Sequence, residues 1–157
     1  MTHTAARMTQ RNRLRARAAA ALAVVSLSAG AARAAMVEIS VTGVAEARGH
    51  VRVELCTKDT FLTDSCPYQG QAPATVGSTM VTIEAPPGEY AAQAFHDETD
   101  QGVVHQNLLG IPREKIGFSN NAPLHLRGPH FKDAAFFVGD QVQRITFHLS
   151  RLFHHGD

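Results

Sequence analysis

The side chains with the most chemical potential in this 157-residue chain gather between positions 96 and 130. His96, His105, His125 and His130 fall there, with Asp97 and Asp100 among them. Imidazole combined with carboxylate is a donor set that suits Zn, Cu or Ni. None of the spacings matches a standard zinc pattern, so a metal site built from His96, Asp97 and His105 stands as the alternative reading of this stretch. Calcium loops offer a second template, with oxygen ligands at alternate positions and glycine at the sixth to permit the turn. Asp97 and Gly102 occupy the first and sixth places, but Thr99, Gln101, His105 and Leu108 stand at the third, fifth, ninth and twelfth. One carboxylate at the key positions is too little charge to hold the ion tightly.

Nucleophilic catalysis finds no footing. The segment Gly117-Phe118-Ser119-Asn120-Asn121 resembles a Gly-x-Ser-x-Gly elbow but lacks its last glycine. No glycine-rich phosphate loop precedes a helical pattern, and the carboxylates are scattered. Trp is absent and Tyr occurs twice, which leaves little material for an aromatic platform. The sequence therefore predicts a non-enzymatic protein with no catalytic residues and no cofactor. His148 falls on the polar face of a strand pattern, and His154 and His155 lie in a terminal tail, 151–157, that is expected to fray.

The N-terminal segment decides where that chemistry would operate. Arg7, Arg11, Arg13, Arg15 and Arg17 precede an apolar run at 18–27 and a small-residue stretch ending Ala32-Arg33-Ala34. Basic, apolar and Ala-x-Ala in that order describe a secretory signal peptide, residues 1–34, cleaved after Ala34. The apolar run is too short to span a bilayer, so an uncleaved anchor is the weaker reading and no stable membrane anchor is expected. The product would be periplasmic or secreted. Six of the fifteen Lys and Arg leave with the signal, and nine then face fourteen Asp and Glu. A mildly acidic chain makes a poor partner for nucleic acid. In an oxidising compartment Cys56 and Cys66 are expected to pair as a structural disulfide, because nine intervening residues do not suit a redox Cys-x-x-Cys motif.

The elements that must position these residues read as strands. Val37, Ile39 and Val41 alternate with polar neighbours, as do Val51, Val53 and Leu55, Val81 and Ile83, and Ile145, Phe147 and Leu149. Period two marks half-buried strands. Segments 90–95 and 134–138 are more continuously apolar, as in strands covered on both faces. Pro86-Pro87-Gly88 predicts a type II turn with Gly88 at positive φ, and Gly139-Asp140 predicts a hairpin between 138 and 142. No helical stripe follows Ala35. The expectation is a single antiparallel β-sandwich domain of about seven strands over 35–150. One connection, 96–122, is unusually long and rich in turn residues, and such loops tend to be functional when ordered.

Pro-Pro-Gly-Glu-Tyr-Ala at 86–91, His96-Asp97, Leu109-Gly110-Ile111-Pro112 and Gly117-Phe118-Ser119-Asn120-Asn121-Ala122 together resemble a group of exported bacterial proteins, domain of unknown function 2141. The resemblance spans about 36–149 and implies an extracytoplasmic, transthyretin-like or carboxypeptidase-regulatory-like β-sandwich without an established activity. Family members usually read His-Asp-x-Asn-x-Asn-Gly-x-x-Asp-x-Asn. This chain keeps His96, Asp97, Gly102 and Asn107 but carries Thr99, Gln101 and His105 where Asn, Asn and Asp are typical. The leading expectation is a binding or interaction module for an unknown protein or small ligand. Its candidate residues are His96, Asp97, Asn107, Glu114, Ser119, Asn120 and Asn121. The same Asp97, Ser119, Asn120 and Asn121 also fit a purely structural role, satisfying backbone groups that a long connection leaves unpaired.

Overall fold

The computed structural model describes residues 33–108, 110–123 and 127–152. The chain divides into two units, 1–30 and 31–157, and the described residues belong to the second. Almost all of the signal segment, the candidate histidines His125, His154 and His155, and Leu109 of the family motif lie outside the described residues.

Alternation builds the strands. In β1 (Ala35–Val44) the side chains of Val37, Ile39 and Val41 are fully buried, while Met36, Glu38, Ser40 and Thr42 turn the other way. β1 pairs antiparallel with β4 (Gly77–Ala85), placing Ile39 opposite Val81, and parallel with β8 (Gln143–His148), placing Ile39 opposite Ile145. These three form one sheet in the order β4-β1-β8. The second sheet runs β3 (Tyr68–Pro73), β2 (His50–Cys56), β5 (Gly88–Asp97) and β6 (Ile116–Phe118), with β7 (Ala135–Val138) also paired to β5. One apolar core joins Val37, Ile39, Val81 and Phe147 of the first sheet to Val53, Leu55, Ala94 and Val138 of the second. Each such fully buried aliphatic or aromatic side chain contributes about 1.5–3 kcal/mol. The protein is all β, as the periodicity predicts.

Several local expectations are corrected. The β1–β8 pair is parallel where an antiparallel sandwich is expected, although the eight strands among the described residues agree with the expected number of about seven. Gly139-Asp140 does not form a hairpin, because β7 belongs to β5 and β8 to β1. The chain crosses between the layers there, and a crossover is what allows a parallel pair. Gly88 lies inside β5 without a positive φ. It serves instead to make room: a Cβ there would sit 3.2 Å from the Tyr90 ring, whose hydroxyl donates to the Pro86 carbonyl at 3.0 Å. Segment 134–138 is not covered on both faces, since Phe137 is 66% exposed at the sheet's margin. A single helical turn, α1 (Phe131–Ala134), precedes β7. β3 escapes a periodicity search because its inward positions, Tyr68, Gly70 and Ala72, carry little apolar bulk beyond the Tyr68 ring; it is an edge strand with no fully buried residue.

The long connection is shorter than its sequence implies. Its first residues complete β5, and its end forms β6 and a 3-10 turn at Ser119–Asn121. Ile116 exchanges two backbone hydrogen bonds with Ser150, 2.9 and 2.8 Å, which ties β6 to the chain leaving β8. Gly117 permits that approach, for a Cβ at 117 would lie 2.4 Å from the His148 carbonyl oxygen. The described residues of the irregular part, 98–108 and 110–115, bring Val103, Val104 and Pro112 beside Glu54, Gln93 and Phe95 on the outer face of the five-stranded sheet.

Candidate functional site

Asp97 ends β5 and is 1% exposed. A carboxylate taken from water must find charged or N–H partners. Its Oδ2 accepts from Arg52 Nε at 2.7 Å and from the Gly102 backbone N–H at 2.7 Å, and its Oδ1 accepts from the Gln101 N–H at 3.1 Å. Gly102 adopts φ +75, so the tight turn at the sixth position is present. Burial pushes the Asp97 carboxyl upward, but the Arg52 hydrogen bond, the two backbone N–H groups and the Arg52 charge outweigh it and hold the group below the usual carboxylate range. The calcium-like opening thus closes around a guanidinium, which in turn donates to Gln71 Oε1.

His96 is equally buried. Its Nε2 donates to the Arg48 carbonyl at 2.9 Å, and its Nδ1 has no hydrogen-bond partner among the described residues, with Glu98 Oε1 3.8 Å away. His105 stands apart from it in role: Glu114 accepts both the His105 backbone N–H at 2.9 Å and the Nδ1 contact at 2.7 Å, while Nε2 lies 2.8 Å from Gln101 Oε1. The Asn107 side chain accepts the Ile111 N–H at 3.1 Å and its carbonyl accepts the Gly110 N–H, closing a short turn. His96, Asp97 and His105 do not form a convergent ligand set. The group of three potential ligands within 4.8 Å of one another among the described residues is Glu54, Cys56 and Cys66, and both sulfurs are joined in the expected disulfide.

The Ser-Asn-Asn triplet is a clamp. Ser119, fully buried, accepts the Ala92 N–H at 2.9 Å and donates to the Ala134 carbonyl. Asn120 Nδ2 donates to the Ala135 carbonyl at 2.8 Å, and Asn121 Oδ1 accepts the His148 N–H at 2.9 Å. Both asparagines hold positive φ, 58 and 50, a conformation that Asn tolerates better than most residues. Three consecutive side chains thereby fasten β5, β7 and β8 to one turn. The seven binding candidates all spend polar atoms internally.

What the loops enclose is a groove of about 470 Å³ on the outer face of the five-stranded sheet. Gln93, Phe95 and Glu54 line it from the sheet; Leu62 and Asp64 from the disulfide loop; Val103, Val104 and Ile116 from the long connection. Gln93 fixes the disulfide loop, since its amide accepts the Leu62 N–H at 3.1 Å and donates to the Thr63 carbonyl at 2.8 Å and to Glu54 Oε2 at 2.6 Å. Behind it Phe61, Phe118 and Phe131 stack edge to face at 5.7 Å, forming with Ala91, Ala122 and Ala134 a second, smaller apolar cluster. Sequence reasoning missed these groove residues. The readable signal was Gln93, a lone amide inside the apolar run 90–95. Arg52 carried no signal beyond its outward position on a strand.

No helix among the described residues is long and apolar enough to cross a membrane. A family model described as "Uncharacterized protein conserved in bacteria (DUF2141)" matches residues 39–146, from the third inward residue region of β1 to within β8. No curated protein and no solved structure matches the chain. The chain belongs to that family.

Proposed function

We propose that this member of the DUF2141 family is a non-enzymatic binding module that works outside the cytoplasm, exported by its N-terminal segment and holding a small ligand or protein segment in the outer-face groove. The observation that carries this reading is the division of labour between two sets of side chains. The seven polar candidates hold the loops in place, and the loops in turn wall a concave, mostly apolar space of the size small-molecule sites have. Apolar side chains left on that wall, with Val103 54% exposed, are what a binding surface retains and a purely structural loop has no need of. Glu54 and Asp64 are the ionisable side chains among the lining residues, a sign that disfavours nucleic acid. No cofactor enters this reading.

The test is a fragment screen followed by nuclear magnetic resonance on the isotopically labelled mature chain. Hits should perturb Phe95, Val104, Ile116 and Phe118 together, and Val103→Glu should abolish the perturbation while leaving the melting curve in place. Hits that cluster elsewhere on the surface, or survive Val103→Glu unchanged, would sink the groove as the binding surface.

A further inference from the structure

We propose that the groove selects a small aliphatic ammonium, a cation carried on a short hydrocarbon body; this rests on the binding reading given above and specifies its ligand class. Both carboxylates lining the groove are open for business with a cation from outside. Neither Glu54 nor Asp64 is ion-paired among the described residues, and the hydrogen bond to Glu54 Oε2 comes from the neutral amide of Gln93. Glu54 Oε1 has no hydrogen-bond partner among those residues. The adjoining crevice, which shares Glu54, Phe95 and Gly102 with the groove, adds Arg52, but that guanidinium is already committed to Asp97 and Gln71.

Shape supplies the second half of the specificity. Leu62, Val103, Val104, Phe95, Ile116 and Phe118 give the groove aliphatic and phenyl walls. A cleft of one charge sign with low-dielectric walls concentrates ions of the opposite sign. An inorganic cation would gain nothing from those walls and would lose its hydration; a hydrocarbon chain ending in an ammonium satisfies both surfaces. An anion of equal size would meet two carboxylates, and the nearby cation, Arg52, is offset by its ion pair with Asp97, so the groove discriminates by repulsion as well as attraction.

Three isosteric probes separate charge from burial: hexylamine, hexan-1-ol and hexanoate, titrated at neutral pH while the methyl resonances of Leu62, Val104 and Ile116 are followed. Hexylammonium should bind up to about fivefold more tightly than hexanol, with hexanoate weakest. Added salt should narrow the gap between amine and alcohol. Glu54→Gln with Asp64→Asn should erase that gap and leave the hexanol affinity unchanged. Asp64→Asn alone, at an exposed position, should narrow it and guards against misfolding of the double variant. Equal binding of amine and alcohol, or tightest binding of hexanoate, would overturn the ammonium preference and leave the groove standing. If none of the three moves those methyls the inference also falls, and the fragment screen then decides whether the groove itself survives.

Discussion

The five-stranded sheet has two faces made from the same strands by different physics. Toward the three-stranded sheet it presents Val51, Val53, Leu55, Ala92 and Ala94, all buried, and their partners across the core are Val, Ile and Phe. Toward the loops the intervening positions carry Arg52, Glu54, Gln93, Phe95 and Asp97. The inner face is held by burial, which has no direction and tolerates rearrangement. The outer face has only a small apolar cluster around Phe61, Phe118 and Phe131 and relies in addition on bonds of fixed length to particular backbone groups: Asp97 to Gly102, Gln93 to Leu62, Ser119 to Ala92. A surface built the second way can keep an open groove, because its loops do not need to collapse onto one another to be stable.

This contrast can be broken at several points. The largest effect belongs to the inner face: Phe147→Ala should cost about 3–5 kcal/mol in urea unfolding, and a loss under about 1 kcal/mol would mean the sandwich core is not the main support. Next comes the disulfide on the outer side. Cys56 and Cys66 are ten residues apart, and on the chain-entropy account their double replacement by Ala should cost roughly 2–3 kcal/mol. The groove signals of Leu62 should then broaden while core signals from Val53 and Ile39 stay sharp; uniform broadening would show that the two faces are not separable.

Asp97→Asn should cost about 1.5–3 kcal/mol at neutral pH, the scale of a hydrogen bond to a charged group. The sign of its pH dependence follows from the lowered carboxyl. The folded state holds Asp97 below its unfolded value, so its contribution is fully present above the unfolded value near 4 and is lost as pH falls through the lowered folded value. The difference between wild type and variant should therefore be flat near neutrality and shrink in acid. A difference that grew in acid would contradict the ion pair with Arg52. Val103→Ser, at an exposed groove wall, should change stability by less than about 0.5 kcal/mol. Smallest of all, Zn, Cu, Ca or a chelator should leave the melting curve unmoved. A shift of several degrees with any of them would add a metal to the supports of the outer face and revive the reading built on His96, Asp97 and His105.

Much of this contrast was readable along the chain, and the unread part has a common cause. Val37, Ile39 and Val41 announce a strand because alternation is a property of neighbours two residues apart. Asp97 followed five residues later by Gly102 announces a tight turn for the same reason. Cys56 and Cys66 could be paired by count and by the spacing between them. In contrast, the partner that turns the Asp97 turn into a closed structure, Arg52, is 45 positions away on another strand. The sequence around it offers only a charged residue at an outward position, indistinguishable from a solvated one. Gly139-Asp140 misled for a related reason: turn residues report that the chain bends, not which sheet it enters afterward.

The role of the 96–122 stretch shows the boundary best. Its residue types mark it as rich in hydrogen-bonding side chains, and among the described residues those side chains are bonded. Those same types suggest that the polar residues face a ligand, and folding assigns most of their polar atoms to backbone groups instead. A buried N–H or carbonyl left unpaired is costly, so nearby Asp, Ser and Asn are recruited to it before any external partner arrives. The groove arises where strand, disulfide loop and long connection meet, from Glu54, Leu62, Gln93 and Val104, residues separated by up to fifty positions. Strand identity and turn positions follow from local patterning; the meeting of those four side chains requires the register between strands, which only the packed sheets establish.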